Sequence, residues 1–77
     1  MENRLVKSER DVEKIYSRDQ FIEKLRRLAD TLEAERPFRI QVAGERVTIP
    51  ADAEISIEHE REDGMEEIEF QLRWRVK

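Results

Sequence analysis

Apolar and polar positions repeat with two different periods along this chain. Between Phe21 and Leu32 the apolar side chains are Phe21, Ile22, Leu25, Leu28, Ala29 and Leu32, the spacing of one stripe down an α-helix. Arg18, Asp19, Glu23, Lys24, Arg26, Arg27 and Asp30 take the remaining surface, with Glu23 and Arg27 at a favourable i,i+4 spacing. Ser17, with Gln20 three residues on, has the pattern of a capping box, and Tyr16 and Phe21 stand where a hydrophobic staple would close. Pro37 stops the element, and Glu35 falls where a glycine would suit the exit. The pattern predicts a helix over residues 18–34.

From Phe38 the period changes to 2, the signature of half-buried strands. Phe38, Ile40 and Val42 alternate with Arg39 and Gln41, and beyond Ala43-Gly44, Val47 and Ile49 alternate with Arg46 and Thr48. A two-residue loop at Ala43-Gly44 sets Ile40 opposite Val47 and Phe38 opposite Ile49, so the apolar faces agree. A four-residue loop has the same parity and spares Ala43 a positive φ. Pro50-Ala51-Asp52 then breaks the pattern.

Ile55, Ile57 and His59 alternate with Glu54, Ser56, Glu58 and Glu60, and Asp63-Gly64 is a strong hairpin signal. Ile68, Phe70, Leu72, Trp74 and Val76 follow, alternating with Glu67, Glu69, Gln71, Arg73 and Arg75. A turn at Asp63-Gly64 places His59 opposite Ile68, Ile57 opposite Phe70, Ile55 opposite Leu72 and Ala53 opposite Trp74.

Val12, Ile15 and Tyr16 supply β-branched and aromatic residues for a short strand over 10–16, with a frayed segment at 1–9. The expected architecture is a single α+β domain over 10–77, β-α-β-β-β-β, an antiparallel meander with one helix on its apolar face. Leu25, Leu28, Ile57 and Phe70 are its expected core.

Composition bounds the rest. Charged residues are 44% of the 77, with 19 acidic and 15 basic, for a net charge of −4. Leu, Ile, Val and Phe still number 20, which is more than a disordered chain would carry. A chain of this length buries only ~60% of its unfolded surface, so the core is thin. There is no run of apolar residues long enough to cross a membrane and none in MENRLVKSER to act as a leader. The absence of cysteine removes disulfides and thiolate chemistry. Together these features predict a cytoplasmic protein.

The runs LRRLADTLE, PFRIQVAGERVTIPADAEISIEHERE and EIEFQLRW together resemble the small amphi-Trp domain proteins of archaea and bacteria. That family takes its name from an amphipathic pattern closing on a tryptophan, here Trp74, and the likeness covers residues 20–74. Glu35-Arg36 departs from the glycine more usual before Pro37. The resemblance implies a fold, and brings no activity, cofactor or catalytic residue with it.

Candidate chemistry is sparse. His59, the only histidine, lies between Glu58 and Glu60, but on a strand it faces away from both. It has no nucleophile beside it to activate, so neither a catalytic nor a cofactor site is expected. Glu58 opposite Glu69 and Glu60 opposite Glu67 make an acidic face that a hard divalent cation would suit, although a flat sheet offers no cage. Arg39 and Arg46 are expected nearby to soften its repulsion. Arginine outnumbers lysine 11 to 4, and Trp74 sits between Arg73 and Arg75, which raises nucleic-acid binding as a rival reading. The net negative charge opposes it.

The leading expectation is a non-catalytic domain that associates, first as a homodimer or other homo-oligomer and otherwise with a protein partner. One helix is too narrow to cover five strands. The residues expected to carry the contact are Glu67, Glu69, Gln71, Arg73, Trp74 and Arg75. Antiparallel pairing of two copies about Gln71 sets Glu67 against Arg75 and Glu69 against Arg73.

Overall fold

The computed structural model describes residues 9–76, so all but the last residue of the expected frayed segment lies outside the described part. Helix α1 spans Arg18–Glu33 and begins at the capping box. The Ser17 hydroxyl accepts from the Gln20 amide at 3.2 Å, and Gln20 Oε1 accepts from the Ser17 amide at 3.3 Å. These bonds satisfy two of the donors that a helix start leaves open. At the other end Glu35 takes φ +58°. Its amide donates to the Leu32 carbonyl at 3.0 Å and the Arg36 amide donates to the Thr31 carbonyl at 3.1 Å, a Schellman closure. The glycine position seen in the sequence is thus a left-handed residue occupied by glutamate.

Strands β1 (Phe38–Val42) and β2 (Glu45–Ile49) form one antiparallel hairpin, with Phe38 opposite Ile49 and Ile40 opposite Val47 as the alternation requires. Its turn is the two-residue loop, with Ala43 at φ +47° and Gly44 at φ +86°. After a turn in which Ala53 donates to the Pro50 carbonyl at 3.2 Å, β3 (Glu54–Glu62) and β4 (Met65–Arg73) form a second, longer hairpin. Its register is the expected one from Glu54 opposite Arg73 to Glu62 opposite Met65. Ala53 and Trp74 lie just beyond its end and do not pair.

The α+β class holds, with three differences from the expected meander. The four strands make two separate two-stranded sheets, since no ladder joins β2 to β3 across the Pro50–Ala53 turn. Residues 10–16 form no strand. Lacking clean alternation, they have no apolar face to lay on a sheet, and side chains hold them instead. The Arg10 guanidinium reaches the Glu45 carboxylate and the Val42 carbonyl, and the Tyr16 hydroxyl donates to the Gln41 carbonyl at 3.4 Å.

The third difference is the core. Phe38 and Ile49, facing each other across the first hairpin, are the buried apolar residues among those described. Leu28 is half-buried, whereas Leu25, Ile57 and Phe70 are exposed. The cause is placement: α1 packs on β1, and β3–β4 packs chiefly on itself. The accessible surface is 7479 Å², against about 5000 Å² for a typical folded monomer of this mass. The radius of gyration, 14.7 Å, likewise exceeds the roughly 11–12 Å of a closely packed chain of this length.

Candidate interaction surface

Alternation divides the β3–β4 hairpin into two unlike faces. On one, Ile55 and Ile57 of β3 lie beside Leu72, Phe70 and Ile68 of β4. Leu72 is half-buried, but Ile57 is 63% exposed and Phe70 65% exposed. Ile55 and Ile68 are similarly open, so a contiguous apolar face lies uncovered. A hairpin of two strands is at best marginal alone and needs further strands or a helix against its apolar side. Neither α1 nor the first hairpin packs extensively on this one.

The apolar face ends toward the turn in charge. Arg61 and Glu66 are register partners, with Arg61 Nε 3.2 Å from Glu66 Oε2. His59 Nε2 lies 2.9 Å from Glu66 Oε1. Hydrogen bonding from His59, then from Arg61, holds the Glu66 carboxyl below its ordinary range, with slight burial opposing them. The expected place of His59 near the turn is correct, and its partner was legible too, because the register sets Glu66 diagonally across from it.

The opposite face is acidic. Glu58 stands opposite Glu69 and Glu60 opposite Glu67, as the sequence indicates. The Glu67 carboxyl is pushed above its ordinary range, first by the charge of Glu69, then by slight desolvation and by Glu60, with a smaller contribution from Glu13. Relief comes from Gln71 and not from Arg39 and Arg46 as expected. Gln71 Nε2 donates to Glu58 Oε1 at 2.7 Å and to Glu69 Oε1 at 3.2 Å, and its carbonyl accepts from the Ser56 hydroxyl at 3.0 Å. Gln71 therefore binds its own acidic neighbours in the single chain. Among the described residues no three His, Asp or Glu side chains are gathered so as to hold a metal ion.

The remaining candidates lie at the end of β4. Arg73 is its last residue, opposite Glu54, and Trp74 and Arg75 continue without a strand partner. Glu54, Arg73, Trp74 and Arg75 line one open depression, so these two arginines share a site with the tryptophan. Arg39 and Arg46 instead join Lys24 and Arg27 around a depression beside β1. Periodicity could not reveal that basic cluster, since it depends on how α1 crosses β1. The same crossing opens an apolar cleft of about 370 Å³ among Ile15, Tyr16, Phe21, Leu25, Leu28 and Phe38. The Arg27 guanidinium lies 5.2 Å from the Phe38 ring centroid and the Lys24 ammonium 4.9 Å from that of Tyr16.

No helix among the described residues is long and apolar enough to cross a membrane. The Amphi-Trp domain family model matches residues 1–77, the whole chain. No curated protein and no solved structure matches it.

Proposed function

The chain belongs to the Amphi-Trp domain family, and from that premise we propose that it is a non-catalytic association module whose working surface is the β3–β4 hairpin. The observation that carries this reading is the uncovered apolar face of Ile55, Ile57, Ile68 and Phe70. A standard interface removes ~800 Å² from each partner. Burial at ~25 cal/mol per Å² supplies the driving force, and the His59–Glu66–Arg61 cluster at one end gives the surface a polar limit.

Sedimentation velocity over a range of concentrations tests the proposal. The expected result is a concentration-dependent dimer or larger species, reduced to monomer by Ile57→Asp with the helical signal retained. A wild-type chain that stays monomeric at high micromolar concentration overturns it.

One observation favours a second reading, nucleic-acid binding: the grouping of Lys24, Arg27, Arg39 and Arg46. It requires binding of single- or double-stranded probes that weakens steeply with salt and is lost in Arg39→Glu/Arg46→Glu. Net charge −4 opposes this reading, and absence of binding at low salt excludes it.

A further inference from the structure

We propose that the outer edge of β4 is the seam of a two-fold homodimer, in which β4 pairs antiparallel with β4 of a second copy in a register centred on Gln71. This rests on the association reading above and adds to it the occupant, the edge and the register.

The edge is available, since β3 is the only strand beside β4 among the described residues. Residues 9–16 form no ladder with it. Its parity also fits. With Asp63 at φ +50° and Gly64 at φ +79°, the turn is of the two-residue type whose flanking residues, Glu62 and Met65, bond each other. Antiparallel pairs then alternate, so the odd-numbered residues of β4 direct their backbone groups toward β3. Glu66, Ile68, Phe70 and Leu72 direct theirs outward. A Gln71-centred register places Phe70 opposite Leu72 of the second copy and Ile68 opposite Trp74, which joins outward-facing residues to one another.

Charge favours that register over the one centred on Phe70. Glu69 meets Arg73 of the second copy and Glu67 meets its Arg75, and two-fold symmetry repeats both pairs. The arginines arrive where the Glu58, Glu60, Glu67 and Glu69 face is crowded with like charge. Moving the centre to Phe70 leaves Glu67 opposite Arg73 but puts Glu69 opposite Gln71. The outer edge of β3 offers no equivalent: its acidic-face residues are Glu54, Ser56, Glu58, Glu60 and Glu62, and self-pairing there sets carboxylate against carboxylate.

The pairing also completes the fold. Strand β4 stops at Arg73 because β3 begins opposite it, at Glu54. In the dimer, residues 66–69 of one copy become the ladder partner for residues 73–76 of the other. Two hairpins joined in this way make a four-stranded sheet. Its apolar face is wide enough to seat a helix of ~10 Å diameter, which a two-stranded ribbon of ~5 Å is not.

Cysteine pairing reads the register directly, because the natural chain has no cysteine. At the two-fold axis the Cα atoms of paired residues stand ~4.5 Å apart, within disulfide reach. Oxidised full-length Gln71→Cys should give a covalent dimer in high yield. Glu69→Cys alone and Arg73→Cys alone should not, whereas an equimolar mixture of those two should cross-link to each other. Arg73→Glu/Arg75→Glu should weaken dimerisation by roughly tenfold or more, and adding Glu67→Arg/Glu69→Arg should restore it. A dimer that forms no Gln71→Cys link and no mixed link overturns the register while association stands. Equal linking by Glu69→Cys alone overturns it too. A chain that remains monomeric throughout overturns both proposals.

Discussion

Glu66 and Glu67 are adjacent in sequence, on opposite faces of β4, and their carboxyl groups are shifted in opposite directions. His59 and Arg61 hold Glu66 low, while Glu69, slight desolvation and Glu60 push Glu67 high. The consequences for stability are opposite as well. The favourable contribution of Glu66 is fully present above its ordinary value of 4.5 and fades as pH falls from there through its lowered native value. The unfavourable charge on Glu67 acts above its raised native value. It is relieved as pH falls through that value, where the native chain takes up a proton before the unfolded chain does.

Glu67→Gln should therefore raise the melting temperature at neutral pH, with a gain that shrinks toward about pH 4. Glu66→Gln should lower it at neutral pH, with a loss that fades on acidification below about pH 4. Thermal unfolding at a series of pH values checks both signs at high dilution, where the Glu67–Arg75 pairing between copies does not contribute.

The left-handed residue at the helix exit gives a second prediction. Glu35, at φ +58°, occupies a conformation that costs most side chains roughly 1 kcal/mol and costs glycine little. Glu35→Gly should stabilise the domain by about 1 kcal/mol, read from urea unfolding with an unchanged slope. Loss of stability would show that the Glu35 side chain makes a contribution that outweighs its backbone strain.

Much of this fold was legible because its local rules are strong. Ser17 and Gln20 fixed the start of α1, the Asp63-Gly64 turn fixed the register of the long hairpin, and Ile40 opposite Val47 fixed that of the short one. Alternation also placed the Glu67, Glu69, Gln71 and Arg73 side of β4. It could not show which layer rests on which. Periodicity says that Ile57 and Phe70 share a face, but not whether a helix lies over that face. The same limit explains why Arg39 and Arg46 were expected beside the glutamates and stand beside Lys24 and Arg27. Val12, Ile15 and Tyr16 have strand-forming side chains without strand periodicity, and the structure follows the periodicity.

The last prediction contrasts two phenylalanines of the same chain. Phe38 is 4% exposed between α1 and the first hairpin, and Phe70 is 65% exposed on the second. Phe38→Ala should cost about 3–5 kcal/mol, a loss that can unfold a domain of this size at any protein concentration. Phe70→Ala removes the same atoms from a site that is mostly solvated in the single chain, so at high dilution its melting temperature should stay near that of the wild type. The difference should emerge as concentration rises. Association stabilises the native state by mass action, and the wild-type melting temperature should climb with concentration while that of Phe70→Ala climbs less. Calorimetry at several concentrations separates the two effects. If Phe70→Ala proves as destabilising at high dilution as Phe38→Ala, the Phe70 face is buried within one chain, and the hairpin is not an open surface awaiting a second copy.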